Sequence, residues 1–192
     1  MLKIGITGNI AAGKSTVEKM LEEMGYKVLN ADDVAHDLLF EDYVKKQIMD
    51  AFADYDILKK GELSRPKLGK IIFTNEKHRK TLEGILHPLI REGIIQFFKS
   101  MEKREEIVFV SVPLLFEAKF DDLFDKIVLI YADDEIRIQR LIERSDLTES
   151  MAKNRLNIQM SQDKKKPLSA HIIFNNGSLD DLRLQVDNLR DL

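Results

Sequence analysis

Between residues 8 and 15 the chain reads Gly8-Asn9-Ile10-Ala11-Ala12-Gly13-Lys14-Ser15, two glycines separated by four residues, then a lysine and a hydroxyl side chain. The pattern G-x-x-x-x-G-K-[ST] is met at every fixed position, and its spacing has a chemical purpose. The glycines let the backbone curl until successive N–H groups point inward around phosphate oxygens. A helix starting here adds the positive end of its dipole. Lys14 can reach the β- and γ-phosphates of a nucleoside triphosphate, and the Ser15 hydroxyl is a suitable ligand for Mg²⁺. Thr16 closes the candidate nucleotide-binding set.

Other residues of the right chemistry lie farther along. Asp32 stands where a strand gives way to a helix, and two duties are open to it. It accepts the proton of an attacking hydroxyl or orders Mg²⁺-bound water from a place opposite Lys14, or it caps the helix. Asp33 is the fallback, better suited to an exposed first turn. Arg137, Arg140 and Arg144 recur at i, i+3 and i+7 and so share one helix face. Residues 137–166 hold eight Lys or Arg against four Asp or Glu. A basic patch without interleaved aromatics suits polyphosphate better than nucleic acid. Arg140 and Arg144 are the candidates for phosphate contact, while Arg137 is expected to be solvated. The turn Asn175-Asn176-Gly177 either offers backbone groups to an adenine edge or is a plain turn before a capped helix. His36, His78 and His171 show no metal-ligand spacing.

The elements that must position these residues alternate strand with amphipathic helix, the pattern of an α/β fold with a parallel sheet. Strands are expected at Lys3–Thr7, Lys27–Leu29, Ile107–Val112, Lys126–Tyr131 and His171–Phe174. The first helix carries the stripe Val17, Met20, Leu21 and Met24, and Gly25 ends it. The last opens at Ser178, with Asp181 in capping-box position, and is expected to bury Leu179, Leu182, Val186 and Leu189. About 75 residues between the second and third strands read as helical, including Val44–Phe52 and Arg65–Phe73, too many for an ordinary crossover. The division expected is a nucleotide-binding core (1–32, 100–136 and 167–192), a helical acceptor-binding insertion (33–99) and a lid (137–166). Both insertions belong over the carboxyl ends of the strands, where open α/β sheets bind ligands.

Composition narrows the field. The 192 residues include 30 Lys or Arg, 33 Asp or Glu and no Cys. A near-neutral balance gives no general electrostatic reason to bind nucleic acid or an anionic membrane. The missing cysteines exclude disulfides, thiolate metal sites and cysteine nucleophiles, and fit a reducing compartment. The N-terminus runs directly into the glycine-rich turn, and no apolar run is long enough to span a bilayer, so a cytoplasmic protein is expected. A regulatory GTPase needs D-x-x-G and N-K-x-D, and neither string occurs. A motor ATPase carries an acid ending a strand, whereas this strand ends Val110-Ser111-Val112-Pro113. A small ATP-dependent kinase remains.

Several segments in order give the chain a more specific likeness. They are Gly5-Ile6-Thr7-Gly8 with the loop above, Ala31-Asp32, Arg65 with Leu68 and Phe73, and Leu86-His87-Pro88-Leu89. Pro113-Leu114-Leu115-Phe116-Glu117, Arg140-Leu141 with Arg144, Gln159-Met160 and Asn176-Gly177-Ser178 complete them. Over essentially its full length the chain resembles the dephospho-coenzyme A kinase family, P-loop kinases that complete coenzyme A synthesis. The resemblance implies ATP and Mg²⁺ as cofactors, dephospho-coenzyme A as acceptor, and a monomer or weak homo-oligomer with no nucleic acid or membrane partner. It implies Lys14, Asp32 and Arg140 as catalytic, and Arg144, Asn176 and Gly177 beside the phosphate loop in binding ATP. It makes Asp32, Arg65, His87 and Glu117 candidates for the acceptor site. His87, in an apolar setting before Pro88, reads better as fixing a helix start than as a proton shuttle, and a loop salt bridge accounts for Glu117 equally well. The family usually reads Asp-Ala-Asp where this chain has Asn30-Ala31-Asp32, which changes the first carboxylate to an amide. Another nucleoside monophosphate or small-molecule kinase, and a non-catalytic ATP-sensing module, are the rival readings.

Overall fold

A computed structural model describes residues 1–59, 61–145 and 147–192 of the chain. In chain order its elements are β1 (Leu2–Thr7), α1 (Lys14–Glu23), β2 (Lys27–Asn30), α2 (Ala31–Leu38), α3 (Asp42–Ala51), β3 (Leu58–Lys59) and β4 (Glu62–Leu63). There follow α4 (Arg65–Thr74), α5 (Glu76–Met101), β5 (Ile107–Ser111), β6 (Lys126–Tyr131), α6 (Asp134–Ser145), α7 (Glu149–Leu156), α8 (Gln162–Lys165), β7 (His171–Phe174) and α9 (Leu179–Asp187). The chain divides into two compact units, one of Met1–Ala31 with Gln96–Leu192 and the other of Asp32–Ile95.

The first unit is a five-stranded parallel sheet in the order β2-β5-β1-β6-β7, flanked by helices. β1 is central, with Ile4 opposite Phe109 on one side and Lys126 on the other. Its buried neighbours in β5, Val108, Phe109 and Val110, form the unbroken apolar run of a strand covered on both faces. Val17, Met20 and Leu21 of α1 and Leu182, Val186 and Leu189 near the C-terminus pack with Ile4, Ile6, Val128 and Ile130 in one core. Ser178 accepts from the Asp181 amide, and the Asp181 carboxylate accepts from the Ser178 amide, so the capping box is complete. Leu179 is 65% exposed rather than buried. Its spacing from Leu182 and Val186 puts it on the buried face, but as the first residue of α9 it stands at the very end of that face.

The second unit has its own core of Val44, Ile48, Phe52, Ile57, Leu68 and Leu82. Leu38, Leu39, Ile71 and Ile72 pack against it, while Phe40 and Phe73 remain exposed. A short hairpin, β3 with β4, turns at Gly61 and pairs Leu58 with Leu63. α5 runs for 26 residues and contains Pro88 in its interior. His87 therefore lies mid-helix, not at a helix start. Proline removes one i→i−4 bond and crowds the preceding turn, but the helical stretches on both sides are long enough to continue through it.

Candidate functional site

The phosphate loop joins β1 to α1, and steric demand explains its glycines. A Cβ on Gly8 would lie 2.7 Å from the Ile130 carbonyl oxygen. At Gly13 φ is +99°, and a Cβ would lie 2.1 Å from the Asn175 side-chain nitrogen. α1 begins at Lys14, so its first amides lack intrahelical partners and open onto the loop. Lys14 and Thr16 are partly buried and Ser15 is exposed, whereas Gly8, Asn9 and Ala12 are buried.

The loop is held from outside through its carbonyls and its leading residues. Asn175 Nδ2 donates to the Ala12 carbonyl at 2.8 Å. Arg140 donates to the carbonyls of Ala11 (3.4 Å) and Asn175 (3.0 Å). On the other side Asn9 Nδ2 donates to the Met160 carbonyl, and Gln159 Oε1 accepts from the Ile10 amide, both at 2.8 Å. Leu141, Ala152 and Leu156 of α6 and α7 form a small cluster onto which Ile10 and Ala11 pack. The Ala11 and Ala12 carbonyls are thus turned toward the protein, while the Ile10 amide is taken by Gln159 and the Ala12 amide by the Asn9 carbonyl.

The basic helix is only partly as expected. Arg140 is half-buried over the loop and Arg144 is exposed. Arg137, expected in solvent, is 3% exposed and donates to Asp134 Oδ1 at 2.6 Å. Its Nε and Nη1 are buried without a hydrogen-bond acceptor. A charged side chain enters the interior here because a carboxylate one turn away neutralises it. Arg137, Asn9, Gln159 and Gln162 line a polar cavity with several acidic side chains.

Glu117 follows β5 and its Oε1 receives two donors, the Met160 amide and Lys165 Nζ, each at 3.0 Å. Lys165 is completely buried. Burial pushes its ammonium below the ordinary lysine range, Glu117 opposes this, and the nearby Lys14 and Arg137 charges add to it. Neither Lys165 nor Asn175 stands out in the sequence. Lys165 is the middle of three lysines, and Asn175 reads only as part of a turn. Asn176 and Gly177 are exposed, with Asn176 Oδ1 accepting from the Asp133 amide at 2.9 Å.

At the end of β2, Asn30 Nδ2 donates to Glu18 Oε2 at 3.0 Å, and Ser111 Oγ donates to the other oxygen of that carboxylate. An amide at position 30 suits this arrangement, because an aspartate would bring a second carboxylate against Glu18. Asp32 is the second residue of α2 and exposed, which places it inside the first turn and not at the cap.

Within the second unit Arg65, the exposed first residue of α4, meets His36 Nδ1 through Nη1. It borders a largely apolar cavity lined by Leu39, Leu68, Ile72 and Leu82. His87 is half-buried, and burial lowers its affinity for a proton against the pull of Glu83. Among the described residues no group of three or more His, Asp or Glu is placed to hold a metal ion.

Known proteins are similar to this chain in sequence and in fold. The family model described as dephospho-CoA kinase matches residues 2–181. The chain belongs to the dephospho-CoA kinase family. It is accordingly a kinase, a transferase of coenzyme A biosynthesis. The dephospho-CoA kinase of Helicobacter pylori strain J99 is 43% identical over 186 residues, covering 96% of this chain and 93% of that protein. That of Arabidopsis thaliana is 38% identical, over 97% of this chain and 81% of the relative. The solved dephospho-CoA kinase from Campylobacter jejuni has a TM-score of 0.75 at 31% identity, covering 98% and 95% of the two chains. A shikimate kinase from Acinetobacter baumannii, 15% identical with a TM-score of 0.52, shares the fold alone.

Proposed function

We propose that this member of the dephospho-CoA kinase family transfers the γ-phosphoryl group of ATP to the ribose 3′-hydroxyl of dephospho-coenzyme A, giving coenzyme A and ADP. Family membership over residues 2–181 carries the reading, and the phosphate loop supports it. In the reaction a bond forms between the 3′-oxygen and the γ-phosphorus, the bond from that phosphorus to the bridging oxygen breaks, and the hydroxyl proton is released. Residues 8–16 bind the phosphates, with Lys14 offsetting charge on the transferring group. Arg140 and Arg144 add positive charge, Asp32 orients the acceptor hydroxyl, and Asn176 and Gly177 border the adenine. Arg65, His87 and Glu117 belong to the acceptor site.

The exposed Ser15 hydroxyl, an oxygen donor at the start of α1, fits Mg²⁺ that arrives with the nucleotide. Bound there, the ion would neutralise phosphate charge. A cytoplasmic location and a monomeric or weakly associating state complete the proposal. No helix among the described residues is long and apolar enough to cross a membrane.

The test is ADP release with dephospho-coenzyme A, adenosine, AMP, CMP and shikimate, each at equal concentration. Dephospho-coenzyme A should give the highest kcat/KM, because binding energy remote from the reacting hydroxyl helps to position it. Faster turnover of AMP or CMP would replace this reading with a nucleoside monophosphate kinase.

A further inference from the structure

The segment 159–165 crosses the carboxyl ends of three adjacent strands and is fastened at each. At β1 it holds the phosphate loop, through Gln159 on the Ile10 amide and the Met160 carbonyl on Asn9. At β6, Gln162 closes a pair of hydrogen bonds with the Ala132 backbone, at 3.2 and 2.8 Å. At β5, Lys165 Nζ reaches Glu117 Oε1 at 3.0 Å and donates to the Pro113 carbonyl at 3.2 Å. Glu117 Oε1 also accepts from the Met160 amide, so the ion pair locks the residue that contacts Asn9.

An ammonium buried completely is costly unless the surrounding polar groups compensate it. Here it has one carboxylate and one carbonyl, and both belong to the turn after β5. Removing it would leave Glu117 with its Oε2 already buried and unpartnered, facing the Met160 amide alone. The strap would lose its far anchor, and the two bonds that set Asn9 and Ile10 would loosen.

We infer that Lys165 is a positioning residue for nucleotide binding, acting through Glu117 and the 159–165 strap to hold the leading half of the phosphate loop. The inference rests on the kinase reading above but not on the acceptor's identity. Its test is binding of a non-hydrolysable ATP analogue by titration calorimetry, without acceptor, together with KM for ATP and kcat under saturating dephospho-coenzyme A. Lys165→Met should weaken analogue binding about tenfold and raise KM for ATP, with a smaller effect on kcat. Lys165→Arg, which keeps the charge, should stay within about threefold of the parent. Gln159→Ala should reproduce the defect, and the Lys165→Met/Gln159→Ala double variant should be no worse than the poorer single variant, since the two contacts, on Ile10 and on Asn9, belong to one strap and hold the same half of the loop. Parental affinity in Lys165→Met, or effects that multiply in the double variant, would overturn the inference. If Lys165→Met does not fold, Gln159→Ala decides, and undiminished analogue binding there rejects the role. A wrong acceptor assignment would show separately, as a parent protein that binds the analogue but releases no ADP with dephospho-coenzyme A.

Discussion

Asn175 fills the space that a side chain on Gly13 would need. Its Nδ2 lies 2.1 Å from the position of a Gly13 Cβ while donating to the neighbouring Ala12 carbonyl at 2.8 Å. The last strand of the sheet thereby reaches back to a loop made from the first. Gly13 is required twice, for its left-handed backbone and for its missing side chain.

Two glycine variants separate those requirements. Gly25, at φ +92°, has nothing within 4 Å of its virtual Cβ, so Gly25→Ala should cost only the backbone penalty of about 1–2 kcal/mol. Gly13→Ala should cost more and should also lower ATP affinity. Urea denaturation and nucleotide titration provide the comparison, and equal losses of stability would show that the Asn175 contact carries no weight.

Lys14→Met should leave the fold intact and lower phosphoryl transfer by about a thousandfold, because a charge placed against the transferring group is lost. Near-parental kcat in a folded variant removes Lys14 from its proposed role.

Asp32→Asn should lose kcat while ATP affinity changes little, the pattern of a group that orients the acceptor. A collapse of ATP binding instead would make Asp32 chiefly a metal or structural residue.

Asn30→Asp places a carboxylate at a position whose present amide donates to Glu18 Oε2 at 3.0 Å. The variant should be destabilised by about 1–2 kcal/mol, and Asn30→Asp/Glu18→Gln should restore the parental midpoint by exchanging acid and amide. A double variant as weak as the single would argue against the pairing.

Burial holds His87 below the ordinary histidine value, against the opposing influence of Glu83. The unfolded chain therefore takes up this proton first as pH falls. The contribution of His87 to stability is intact above about pH 6.5 and declines as pH drops from there through the lower folded value. In His87→Gln the loss of stability between about pH 7.5 and about pH 5 should be smaller than in the parent. Identical slopes for the two proteins would count against a buried, neutral imidazole.

Local rules made much of the molecule legible. The phosphate loop follows from spacing, β5 from its apolar run, and the start of α9 from Ser178 and Asp181. Arg137 and Lys165 escaped because a lysine or arginine is ordinarily solvated, and only a partner brought near by folding makes burial tolerable. For Arg137 a weak local signal existed in Asp134 three residues before. For Lys165 the partner is Glu117, 48 positions away in sequence. The continuity of α5 was obscured by Pro88, whose local preference was outweighed by the helical turns around it. The hairpin at 58–63 was too short to carry an alternating pattern.

The position of β1 in the sheet has a consequence for the order of assembly. Of the sheet's strands this one is synthesised first, yet both its neighbours are far downstream, Leu2 pairing with Ile107 and Ile4 with Lys126. More than half the chain must be made before the central strand gains either partner. The Asp32–Ile95 unit emerges in between, with a core built from its own residues. It can consolidate during translation while the apolar residues of β1 wait for theirs, and closing so long a loop slows sheet formation and prolongs exposure of sticky strand edges. The strand that founds the nucleotide site is thus the oldest in synthesis and among the last to be secured, which makes the growing chain most dependent on cellular protection before β5 appears.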